Sequence, residues 1–181
     1  MHGRRFISRA GRCGLAVAFN LIGSVVHASP ASLSGQDLQV LGTALTFMQP
    51  RPSSEGTVAI VYAAGDRGSR EDAEAIMAAI GNGLTAARTT LAPRLVEADS
   101  LATTDFSVAI VAAGANSEIV MRAVRARHAL CVTADQAAVQ QGVCTMAIRS
   151  GGRVEIVLNH QVAEHTGIAF ATAFRMMVHE L

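Results

Sequence analysis

Three apolar runs rich in β-branched residues set the frame of this chain: Thr57–Ala63 (TVAIVYA), Phe106–Ala112 (FSVAIVA) and Ala129–Thr133 (ALCVT). Each is shorter than an ordinary helix and lacks the polar alternation of a half-exposed strand. Each therefore reads as a strand buried on both faces. Helical spacing follows every one of them: Ser69 to Ile80, Asn116 to about Arg127, and Asp135 to Gln141. Arg94–Ala98 adds a short strand and Ser100–Thr104 a helical turn. Buried strands separated by helices need crossover connections, and crossovers place helices over both faces of a mostly parallel sheet.

The two ends of the chain read differently. Asp37 to Met48 carries Leu38, Leu41, Leu45 and Met48 at helical spacing, with Ser34 or Asp37 as cap and Pro50 and Pro52 beyond its end. Ser69 and Asp72 suggest a capping box for the second helix. Val143–Ile148 and Arg153–Leu158 flank Ser150-Gly151-Gly152 as the arms of a hairpin. In that reading Cys144, Met146 and Ile148 share one face, and Val154, Ile156 and Leu158 share a face of the second arm. Asn159 caps a final helix running to Leu181, with Phe170, Phe174, Met177 and Leu181 as its inner stripe. The expected fold is a single α/β domain: a mostly parallel sheet with helices on both faces, then a C-terminal antiparallel β-hairpin followed by a long helix.

Arg4, Arg5, Arg9 and Arg12 precede an apolar run from Cys13 to Val26, and Val26-His27-Ala28 offers small residues for cleavage. Residues 1–28 thus read as a secretory signal peptide cleaved after Ala28, residues 29–36 as a flexible tail, and residues 37–181 as the domain. The signal holds four of the 15 basic residues and none of the 14 acidic ones, so the net charge moves from +1 to −3 on its removal. Every basic residue is Arg, which leaves no lysine for a Schiff base or a P-loop. A mildly acidic domain without a basic stripe is a poor nucleic-acid binder. Of three cysteines, Cys13 leaves with the signal, and Cys131 and Cys144 remain as an even pair in a compartment that permits disulfides. Compartment and spacing favour a disulfide; two buried thiols, or a catalytic or metal-binding pair, are the alternatives.

Motifs for catalysis are thin. The glycines of AAGDRGSREDAE match neither a dinucleotide fingerprint nor a P-loop. No G-x-S-x-G and no H-E-x-x-H occurs, and His160 and His165 are five apart. No catalytic residue, metal or cofactor is assigned. What does stand out is position. The turns at Gly65–Ser69 and Gly114–Ser117 and the strand end at Asp135 would share one edge of the sheet, where α/β proteins bind ligands. Gly65, Asp66, Ser69, Gly114 and Asp135 are the candidate ligand-binding residues, with plain turns and helix caps as the alternative.

The segment LCVTADQAAVQQGVCTMAIRSGGRVEIVLNHQVAEHTGIAFATAFRMM resembles the YfiR-like family of small exported bacterial proteins. The parts that carry the likeness are Val132-Thr133-Ala134-Asp135, Gln141-Gly142, Arg153-Val154-Glu155-Ile156, Asn159 and the stretch from Gly167. Upstream, Phe47-Met48-Gln49-Pro50, Val58–Ala63 and Val108–Ala112 are similar to the family's entry segment and two central strands. The likeness spans residues 37–181, rests on the order of these parts, and departs from the family pattern in having no Trp and Gln141-Gly142 in place of a Gly pair. It implies a non-enzymatic periplasmic regulator that binds the periplasmic part of a membrane signalling protein, such as a diguanylate cyclase or sensor kinase. A periplasmic small-ligand-binding module and a thiol-redox protein are the alternatives from other classes. A homodimer is left open.

Overall fold

A computed structural model describes residues 32–53 and 56–181, so the predicted signal peptide and the first residues of the predicted tail lie outside the described residues. Helix α1 (Gly35–Leu45) opens the domain. Its start is fixed by a capping box: Ser34 Oγ accepts from the Asp37 amide at 3.2 Å, and Asp37 Oδ2 accepts from the Ser34 amide at 2.7 Å. Leu33 and Leu38 flank this cap and are both buried, the arrangement of a hydrophobic staple. Within the segment expected as a tail, Ser34 thus caps the helix and Leu33 joins the core. The box falls here and not at Ser69 and Asp72, whose side chains serve other partners.

Strand β1 (Met48–Gln49) leads into β2 (Thr57–Tyr62) and α2 (Arg67–Ile80). A hairpin of β3 (Leu84–Ala86) and β4 (Thr89–Glu97) follows. The expected short strand at 94–98 is the end of the longer β4, and β3 was not foreseen. Pro93 sits beyond the three residues of β4 that pair with β3, on the open side, where its missing N–H leaves no gap in a ladder. A 3-10 turn (Ala98–Thr103) leads to β5 (Val108–Val111), α3 (Glu118–Ala126), β6 (Leu130–Thr133), α4 (Gln136–Gln140), β7 (Met146–Arg149) and β8 (Glu155–Leu158).

The predicted long final helix is not formed. The chain instead makes α5 (His160–His165), β9 (Ala169–Phe170), α6 (Thr172–Arg175) and β10 (His179–Glu180). Gly167 breaks the helix at φ 72°, a left-handed value suited to glycine after a helix end. Thr166 Oγ1 turns back onto the carbonyls of Ala163 and Val162, at 2.8 and 3.1 Å. Phe170 and Phe174 do face the core, but from a strand and a short helix: β9 pairs with β1, and the Phe174 ring stacks on Phe47 and Phe170.

The main sheet runs β10-β8-β7-β6-β5-β2-β4-β3. Strands β4, β2, β5, β6 and β7 are mutually parallel, and β7–β8 is the expected antiparallel hairpin. Side chains alternate between two cores. Val58, Ile60, Val108, Ile110, Leu130 and Val132 face α1, α2 and the C-terminal segment. Ala59, Val61, Ala109, Val111 and Cys131 face α3, α4 and the 3-10 turn. The result is a three-layer α/β domain.

Cys144 lies one face away from its expected place. It precedes β7 and joins the second core, whereas Met146 and Ile148 join the first. That position brings it to Cys131, and the two are disulfide-bonded with Cα atoms 5.1 Å apart. Val154 is exposed and lies outside β8, so it does not share the buried face of Leu158.

A candidate ligand cleft at the strand ends

Because β2, β5, β6 and β7 are parallel, the turns after them gather on one edge. In an open sheet the natural crevice lies where successive connections leave to opposite faces. Here that point is between β2, followed by α2 on one face, and β5, followed by α3 on the other. Polar side chains fill it. Asp66 caps α2 by accepting from the Ser69 amide at 3.1 Å, and Ser69 Oγ accepts from the Ala63 amide at 3.0 Å. Asp72 Oδ2 accepts from the Ala113 amide at 2.7 Å, tying α2 to the end of β5, and its other oxygen meets Ser32 Oγ. A Cβ on Gly114 would lie 3.0 Å from Asp66 Oδ2, a tight contact that the Asp66 side chain would have to relieve. The Gly114 φ of 76° itself calls for glycine.

The open space is one strand further along. A cleft of about 410 Å³ lies at the carboxyl ends of β5, β6 and β7. Gly114, Asn116, Asp135, Gln136 and Arg149 line it, with Ala113, Ala134 and Ala137 between them. Of the sequence-derived residues, Gly114 and Asp135 face this cleft. Gly65, Asp66 and Ser69 lie on the adjoining turn, where Gly65 supplies a left-handed φ of 75° and the other two support the backbone. Asp135 caps α4 as expected, Oδ1 accepting from the Ala137 amide at 2.9 Å.

Asn116 lies within the Gly114–Ser117 turn that the sequence points to, without being singled out there, and Arg149 escapes sequence reasoning. Asn116 Nδ2 donates to Thr133 Oγ1 at 3.5 Å, while its Oδ1 is buried without a hydrogen-bond partner among the described residues. Arg149 ends β7 and is exposed. Glu155 stands opposite it across the hairpin but pairs with Arg153 at 3.5 Å. Among the described residues Arg149 forms no ion pair. The only sequence signal for these two was position: each closes an apolar strand or follows one.

On the other side of the filled crevice, Tyr62 Oη donates to Glu97 Oε1 at 3.2 Å, and the Arg70 guanidinium lies 5.4 Å from the ring centre. Partial burial raises the Tyr62 pKa above 10.0, and the Glu97 hydrogen bond and charge add to that. Other depressions include a groove of about 590 Å³ along β8 and β10, which shares Gln136 with the cleft, and an apolar hollow of about 310 Å³ walled by Val40, Phe47, Phe174 and Met177. No three His, Cys, Asp or Glu side chains among the described residues are gathered as a metal site.

No protein-family model matches the chain, nor does any curated protein sequence. Among solved structures it is similar to the ABC domain in complex with L-Trp from Streptococcus pneumonia. That likeness has a TM-score of 0.56 at 12% identity and covers 80% of this chain and 61% of that one. A conserved domain protein from Vibrio cholerae O1 biovar El Tor aligns over 82% of this chain and 60% of its own, with a TM-score of 0.48 at 12% identity. The chain thus spans less than two thirds of the length of either structure. At this identity the first likeness establishes the α/β fold and nothing finer.

Proposed function

We propose that this protein is a small-ligand-binding module whose ligand enters the cleft at the carboxyl ends of β5, β6 and β7. One observation carries the reading. The open cleft lies at the edge where α/β sheets bind ligands, and its walls hold Asp135 and an Arg149 that forms no ion pair among the described residues. The solved structure with the higher TM-score contains L-Trp, which accords with a small organic ligand on this fold. The disulfide supports a location in an oxidising compartment such as the periplasm. Among the described residues no helix is long and apolar enough to cross a membrane. The test is amide-shift mapping by NMR against a metabolite library. Shifts at Gly114, Asn116, Asp135 and Arg149 are expected for a subset of compounds; a hit that perturbs only distant residues refutes the site.

A regulator of the YfiR-like type is the second reading. It is favoured by exposed apolar side chains near the C-terminal edge, above all Met176 and Met177, which are 84% and 68% exposed. Crosslinking in intact cells should join this edge to a membrane signalling protein, and replacing both methionines by Ser should abolish the product. The thiol-redox reading has the least support. Cys131 and Cys144 are 1% and 0% exposed, so no external thiolate reaches either sulfur in the folded state.

A further inference from the structure

Charges of both signs line the cleft. Thr133, the last residue of β6, pairs with Ala147 of β7; Asp135 follows two residues later at the start of α4, and Arg149 two residues later at the end of β7. A carboxylate and a guanidinium thus stand at the ends of adjacent parallel strands, both lining the same space without forming an ion pair with each other. Asp135 uses Oδ1 for its cap, which leaves Oδ2 available.

We propose, building on the ligand-binding reading above, that the cleft recognises a small zwitterionic amino acid, its carboxylate on Arg149 and its ammonium on Asp135. The reasoning is by elimination on charge. A dianion facing Arg149 meets the Asp135 carboxylate, and a simple cation facing Asp135 meets the guanidinium. A neutral ligand uses neither charge. A zwitterion satisfies both walls at once, and a guanidinium takes a carboxylate through two parallel hydrogen bonds. The three alanines leave room for a side chain. The volume of about 410 Å³ sits in the range of roughly 300–1,000 Å³ that small-ligand pockets occupy.

The test is calorimetric titration of the disulfide-bonded protein with each standard L-amino acid. Every binder is then compared with its primary amide, which lacks the carboxylate, and with its deaminated acid, which lacks the ammonium. Both analogues should bind at least about tenfold more weakly, the loss expected for one charge-assisted hydrogen bond. Arg149→Gln should weaken the amino acid by a similar factor while leaving the amide unchanged, a pattern that mere loss of folding cannot produce. Asp135→Asn should weaken the amino acid and spare the deaminated acid; it keeps an oxygen for the cap. The proposal is overturned if no standard amino acid binds, if the amide binds as tightly as the acid, or if Arg149→Gln weakens both equally. Failure of the underlying reading looks different. If neutral or singly charged metabolites shift Gly114 and Asn116 in the NMR map, the cleft stands and only the zwitterion falls. If every binder maps elsewhere, both fall.

Discussion

Breaking the Cys131–Cys144 bond is the sharpest test of how this domain is held together. The bond closes a loop with a sequence separation of 13 and spans all of α4. In the chain-entropy model a loop of this size stabilises the folded state by about 3 kcal/mol. Both sulfurs lie in the core beneath α3 and α4, so the replacing residue matters as much as the lost crosslink. The Cys131→Ala, Cys144→Ala pair leaves two small voids at about 1 kcal/mol each, for a total of about 5 kcal/mol. The Cys131→Ser, Cys144→Ser pair instead buries two hydroxyls in an apolar setting, each costing about 1–3 kcal/mol if unpartnered, for a total of about 5–9 kcal/mol. A domain of this size has only about 5–15 kcal/mol to lose. The Ala pair should therefore fold with a melting temperature roughly 10–20 °C lower, and the Ser pair should be less stable still. Urea unfolding with and without reductant measures the bond itself. Reduction of the wild type should proceed only as fast as the domain opens, because neither sulfur is exposed. An Ala pair as stable as wild type, or fast reduction in native buffer, refutes the reasoning.

Three further perturbations test separate features. Gly42→Ala places a Cβ 2.3 Å from the Thr85 carbonyl oxygen, where α1 lies against β3; the overpacking should cost about 1–3 kcal/mol, read as a lower urea midpoint. Thr145 is fully buried and its Oγ1 has no partner among the described residues. Thr145→Val removes an unsatisfied hydroxyl at constant shape and should stabilise by about 1 kcal/mol; destabilisation in thermal melts would show that the hydroxyl is satisfied. Tyr62 is the chain's one tyrosine, and there is no tryptophan, so phenolate absorbance reports on it alone. Its proton is held more tightly in the folded state than in the unfolded one, above the ordinary 10.0. Its contribution to stability is thus complete below that value and is lost as the pH rises through the folded pKa. Tyr62→Phe should flatten that alkaline decline, and a Tyr62 that titrates at or below 10.0 would contradict the Glu97 pairing.

The parallel core of the fold was legible because burial on both faces leaves a continuous apolar run in the sequence. Thr57–Tyr62, Val108–Val111 and Leu130–Thr133 all sit within the expected runs. The C-terminus was misread for a physical reason. Phe170 and Phe174 are four apart, and helical spacing alone cannot distinguish one helix from a strand followed by a turn of helix. Gly167 was the available signal, since a glycine after Thr166 is what a helix end needs. Strand β3 is three residues long at the sheet margin, and so short an edge strand carries no pattern. The capping box was placed on the wrong Ser-x-x-Asp because both match by spacing. Only Ser34 has an apolar neighbour before it, Leu33, that packs under the helix.

The site was legible as an edge and illegible as a cleft, and the reason lies in what the carboxylates do. Position along the chain tells which turns share the carboxyl ends of the strands, and Gly65, Asp66, Ser69, Gly114 and Asp135 are all there. Whether a turn residue faces space or supports backbone depends on partners from other elements. Asp66 and Ser69 bond their own turn, and Asp72 reaches across to Ala113, so polar side chains occupy the crevice that a fold of this order usually leaves open. The open cleft lies one strand further, toward β7, where Arg149 lines it. The residue lies 35 positions beyond Gly114 at the far end of a strand whose sequence reads only as core. If the Asp72 tie is what displaces the cleft, Asp72→Ala should loosen the Gly114 turn and weaken binding at Arg149 without touching it. Hydrogen exchange should then be faster at the Ala113 amide than in wild type. An unchanged exchange rate there would mean that the turn holds its place without Asp72, and that the open cleft is set by the strands alone.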